Sequence, residues 1–151
     1  MNSLWGTPYC NYFFLCGGMK IIRGFKTELD PNNHQRTLLL QHAAVARFAY
    51  NWGLERKIGA YKNGGKTPGE FDLNREWNVW KRENAPWVLE SSKCCGQEAF
   101  RDLDRAYANF FRRCKSGAKG KKGFPRFKSK RNGVGSFRLY GAIRRFAGGT
   151  Q

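Results

Sequence analysis

The last third of this chain contains no acidic residue. Residues 105–151 hold 14 of the 28 Lys and Arg and none of the 11 Asp and Glu, whereas residues 1–104 carry 14 bases against 11 acids, a net of +3. A stretch of that density cannot form an apolar core, and it repels itself unless a polyanion stands nearby. Nucleic acid is the first candidate partner. An anionic membrane surface is the second, but the cations are clumped rather than amphipathic, which argues against it.

A length of 151 residues suffices for one modest domain. The five cysteines (Cys10, Cys16, Cys94, Cys95, Cys114) are odd in number and form no Cys-x-x-Cys. His34 and His42 have no metal-ligand spacing to them, so no metal site and no cofactor are expected. Free thiols fit a reducing, cytosolic setting. No apolar run approaches the ~20 residues of a transmembrane helix. Residues 1–18 lack the basic start of a signal peptide. Regular patterning begins directly after Met19, which predicts that Met19 is the natural start and that 1–18 are an over-called, disordered leader.

Along the rest, the expectation is a mainly α chain with a small β part. Residues 20–28 alternate imperfectly and predict a short strand. Asp30 as N-cap and Pro31 at the first helical position predict a helix to about Lys62. Its stripe is Leu38, Val45 and Trp52, flanked by Leu39, Ala46, Ala49 and Tyr50, and Gly64-Gly65 stop it. Asp72 can cap a second helix through about Arg82, with Leu73, Trp77 and Trp80 on one face. Ser91 or Ser92 can cap a third, running to about Lys115 after Pro86 breaks the chain. Core packing is the default reading of Trp52, Trp77, Trp80 and Trp87. Residues 117–133 form a basic Gly/Lys linker expected to be flexible without a ligand. Residues 134–151 contain a second strand candidate at 136–146.

The basic run carries the chemistry. Arg112, Arg113, Lys115, Lys119, Lys121, Lys122, Arg126, Lys128, Lys130 and Arg131 are ten cations in twenty residues. Such a run binds phosphates without regard to sequence, by releasing condensed counterions. Phe124 and Phe127 are candidates to stack on unpaired bases, or else to anchor the run on the helices. Catalysis has little support. A metal-dependent nuclease needs converging carboxylates, and none follows Asp104. Asp102 and Asp104, two apart on one helix, point roughly 200° away from each other. Gly64-Gly65-Lys66-Thr67 follows a helix and lacks phosphate-loop spacing.

Three stretches resemble a known family. Arg47, Tyr50, Asn51 and Leu54 match R-x-x-Y-N-x-x-L. Gln97, Ala99, Asp102, Leu103, Ala106, Phe110 and Phe111 match Q-x-A-hydrophobic-x-D-L-x-x-A-hydrophobic-x-x-F-F. Residues 123–131 match G-[YF]-P-R-F-K-x-K-R. In this order and spacing they resemble the N-terminal region of the OrfB/TnpB transposon proteins, over about residues 19–145. The resemblance implies a three-helix recognition lobe inserted between strands of an incomplete wedge-type β-barrel. It also implies binding of DNA and of a guide RNA from the transposon end. Full-length members are similar to RNA-guided DNA endonucleases with an RNase H-like domain and a zinc ribbon. The resemblance implies that this chain stops before both and is not itself an enzyme. Lys93 and Gln97 align with a Lys and a Gln that contact target-adjacent DNA, and Phe71 falls near a Tyr that helps there. Cytoplasmic, nucleoid-associated residence follows from such partners. A standalone DNA-binding regulator and a decayed reading frame remain as alternatives.

Overall fold

The computed structural model describes residues 26–117, 120, 122–133 and 135–140. The leader 1–18, most of the first strand candidate and residues 141–151 lie outside them. The chain divides into two units at Asn32/Asn33. Of the first, the described residues 26–32 are irregular. The second contains three helices: α1 (Asn33–Lys62), α2 (Glu70–Asn84) and α3 (Lys93–Lys115). Short 3-10 turns occupy Pro86–Glu90 and Lys130–Asn132.

Helix α1 starts at Asn33, two residues after Pro31. Its buried face begins only at Ala43 and continues through Val45, Ala46, Ala49, Tyr50, Trp52, Gly53 and Leu54. Leu38, placed in the core stripe from its spacing, is 41% exposed. The reason is where α3 meets α1. The Ser92 N–H donates to His42 Nε2 at 3.3 Å, while His42 Nδ1 lies 2.7 Å from the Leu38 carbonyl and carries the proton. The α3 helix therefore begins beside His42 and does not cover the turns before it. At its other end α1 stops in a Schellman turn. Gly64, at φ +66°, donates to Tyr61 O at 3.1 Å, and Gly65 donates to Ala60 O at 2.9 Å.

Helix α2 starts three residues earlier than expected, with Gly69 rather than Asp72 as N-cap. Asp72 sits at the third helical position and accepts from the Gly69 N–H at 3.2 Å. The Glu70 amide finds an acceptor in another helix, Asp104 Oδ2, at 2.9 Å. The same carboxylate pairs with Lys57 Nζ of α1 at 2.8 Å. Lys57 also donates to Pro68 O at 2.7 Å, with only 6% of its side chain exposed. One ion pair, buried on its lysine side, thus ties all three helices together. Leu73 and Trp77 of α2 are buried, with Trp80 partly so. Trp77 and Trp80 pack on Phe48 and Trp52 at centroid distances of 5.1–5.9 Å. Trp87 joins Phe48 at 5.3 Å but stays 48% exposed.

The Ser92 hydroxyl accepts from the Cys94 amide at 3.3 Å and caps α3. Cys95, Ala99, Phe100 and Leu103 then bury against α1 and α2. Burial pushes the Cys95 thiol up to about 11, so it behaves as a small apolar side chain. Pairing of His42 with Ser92 near one end and of Lys57 with Asp104 near the other makes α1 and α3 parallel. Phe48 on Trp80 and Trp52 on Trp77 make α2 antiparallel to α1, and Glu70 on Asp104 with Trp77 against Gly96 makes it antiparallel to α3. At Gly53, α3 side chains lie directly against the α1 backbone. A Cβ there would stand 2.9 Å from a Phe100 ring carbon and 3.1 Å from Leu103 Cδ2.

The expected β part is not found. Among the described residues there is no strand, and the fold is helical rather than a lobe inserted in an incomplete wedge-type barrel. Residues 26–28 and 136–140, both inside the strand candidates, are irregular; 20–25 and 141–146 lie outside the described residues. A strand needs a ladder partner for its backbone. Residues 137–140 instead spend their groups on helices. Phe137 packs on the His42 ring at 5.4 Å, and the Tyr140 carbonyl accepts from Cys94 Sγ at 3.6 Å.

Candidate nucleic-acid interface

After α3 the chain turns back along the seam between α1 and α3, and its attachments follow in order. Near the end of α3, Arg113 Nη1 donates to Lys122 O at 3.3 Å. The Phe124 ring stands edge-on to Tyr107 at 5.6 Å and to Phe110 at 5.2 Å, and Pro125 is buried. Asn51, more than half-way along α1, then clamps one residue of the segment. Its Nδ2 donates to Lys128 O at 2.9 Å, and its Oδ1 accepts from Lys128 N at 2.7 Å. The side-chain amide thus does for Lys128 what a neighbouring strand would do. The Lys128 ammonium lies 4.2 Å from the centroid of the adjacent Tyr50 ring. Burial holds this ammonium below the usual lysine range, with Asp102 pulling the other way and Arg138 adding to the depression.

These attachments sort the expected cations. Arg113 and Lys128 are occupied inside the protein. Arg112, Lys115, Lys122, Arg126, Lys130 and Arg131 are exposed, and among the described residues their side chains have no partner. Lys119 and Lys121 lie outside the described residues. Of the aromatic pair, Phe124 anchors the segment on α3 and is 46% exposed, whereas Phe127 is 55% exposed with no ring against it among the described residues. Lys93 and Gln97 are exposed in the first turns of α3. At a rise of ~1.5 Å per residue, Lys93 is about 28 Å from Arg112 along that helix. The structure therefore spreads the expected site residues along the returning segment and both ends of α3, and does not gather them in one pocket.

Composition alone misses Tyr50 and Asn51, which position the basic run without belonging to it. The available signal was the R-x-x-Y-N-x-x-L stretch, which contains both residues but does not say what they hold. Asp102 and Asp104 turn to different partners, Arg138 and Lys57. Among the described residues no group of three His, Cys, Asp or Glu converges as a metal site would require, and no helix is long and apolar enough to cross a membrane.

Residues 19–66 match the family model of the OrfB/IS605 helix-turn-helix domain. The described part of that match is residues 26–32, α1 and the turn after it, so the following helix, α2, lies beyond its end. InsQ of Escherichia coli (strain K12), named as a putative RNA-guided DNA endonuclease, is 33% identical over 114 residues, which is 74% of this chain and 26% of that protein. A protein of Streptomyces pristinaespiralis with the same kind of name is 29% identical over 113 residues, again 74% of this chain and 26% of that one. The chain thus spans about a quarter of the length of these curated relatives. Over about three quarters of its length the chain is homologous to putative RNA-guided endonucleases of the InsQ/TnpB type, and its N-terminal part matches the helix-turn-helix model of the OrfB/IS605 family.

Proposed function

We propose that this chain is a DNA-binding module of the OrfB/TnpB transposase type that also holds guide RNA and performs no catalysis of its own. The observation that carries this reading is the row of six exposed cations without side-chain partners among the described residues, two on α3 and four on the segment that the Asn51 clamp and the Phe124 anchor hold to it. Such groups are available to phosphates at no cost in broken ion pairs. Lys93 and Gln97, one helical turn apart at the start of α3, would add a backbone and a base-edge contact, and Phe127 a stacking surface. The guide-RNA partner is inferred from the names of the relatives. A cytoplasmic, nucleoid-associated location belongs to the same proposal.

The test is a salt titration of binding to a DNA duplex. Six phosphate contacts give a slope of log K against log salt of about −5. A slope near zero contradicts the reading. Metal-dependent cutting of DNA by this chain alone would contradict its non-catalytic half.

A further inference from the structure

The row of cations passes acid at one place. Where residues 137–140 cross α3, Glu98 and Asp102 face them, four apart on one side of that helix. Asp102 acts electrostatically on both Lys128 and Tyr50, within the clamped part of the segment and its clamp. Two carboxylates there would repel any phosphate backbone drawn in by Arg126, Lys130 and Arg131. They are not left uncompensated. Arg138, supplied by the segment itself, reaches Glu98 Oε2 with its Nε at 3.5 Å and Asp102 Oδ1 with its Nη2. Arg101 holds Glu98 from within α3 at 2.7 Å, but Arg105 is 4.0 Å from Asp102. For Asp102, Arg138 is the principal counter-charge.

We infer that Arg138 is a positioning residue for nucleic acid that acts by cancelling charge. It occupies Glu98 and Asp102, so that, with Arg101 on Glu98, the edge of α3 under the returning segment presents no net negative charge to an approaching phosphate backbone. The inference rests on the nucleic-acid reading above and adds to it a residue outside the basic run, with an indirect role. A residue that merely straps the segment down, or one that touches phosphate itself, would behave differently when its partners are neutralised.

The experiment is fluorescence anisotropy of a mixed-sequence DNA duplex with the full chain at low salt, together with thermal unfolding of each variant. R138A is expected to bind about tenfold more weakly than wild type. Adding E98Q and D102N to R138A should return affinity to within about twofold of wild type, although the ion pairs are still gone. R138Q serves as a second variant if R138A melts below the assay temperature. Unchanged affinity in a folded R138A or R138Q overturns the inference. So does a gain from E98Q/D102N in the R138A background no larger than the same pair of substitutions gives in wild type, since removing two negative charges beside the path raises affinity for DNA by itself, and only masking by Arg138 makes the gain depend on Arg138. If wild type itself does not bind the duplex, the DNA reading fails, and the inference fails with it.

Discussion

Single residues decide how closely the helices of this fold approach. Gly53 faces the fully buried Phe100 and Leu103, whose carbons would stand nearer to an added methyl than ordinary van der Waals contact allows. Alanine in a helix interior normally gains up to ~1 kcal/mol over glycine. Here overpacking of a closed core, typically 1–3 kcal/mol, opposes that gain, and the ring that must give way is itself fully buried. Gly53→Ala is therefore expected to lower stability by about 1 kcal/mol, read from the midpoint of a urea unfolding curve. A rise in the midpoint would mean that α3 can shift away. Asp104 shows a different economy. One carboxylate satisfies the first amide of α2 and a buried ammonium of α1, so its position is set by two partners outside its own helix.

At the scale of elements, the informative object is the segment after α3, which is irregular yet firmly attached. Its central attachment is one asparagine side chain bonded to both backbone groups of Lys128. Asn51→Ala removes both bonds and leaves the Lys128 N–H and C=O to find water. Each such bond is worth about 1 kcal/mol. The expected outcome is a drop in stability of about 1–2 kcal/mol together with faster hydrogen exchange at the Lys128 amide, while α1 amides keep their protection. Exchange at Lys128 equal to wild type would show that the segment is held by its aromatic contacts alone. The three helices were legible in the sequence to within two or three residues, because capping chemistry and apolar spacing act locally. The segment was not, because an alternating run such as residues 136–140 reads the same whether its partner is a strand or a pair of helices. Phe137 on His42 and Arg138 on Glu98 and Asp102 settle it for the helices.

For the whole molecule, the balance of charge separates into two groups. Arg113, Lys128 and Arg138 are used internally, and six other cations of the basic run face outward. Only the second group should register as phosphate contacts in a salt titration. The pair K130A/R131A is expected to make the slope for a DNA duplex shallower by about 2, close to 0.9 for each phosphate no longer neutralised. Removing the Arg113 side chain should lower stability more than it changes the slope. A pair variant with the wild-type slope would place the phosphate contacts elsewhere on the chain.

The amino-acid sequence by itself determined where the helices form and that the last third of the chain carries positive charge with no acid in that stretch to balance it. Helix caps, apolar periods and uncompensated charge are properties of neighbouring residues and of composition, and they need no tertiary context. Tertiary structure alone decided which cations stay available, that the described residues contain no strand, and that Leu38 remains outside the core. Each of those depends on what packs beside a residue distant in sequence, as Asn51 does for Lys128 across 77 positions.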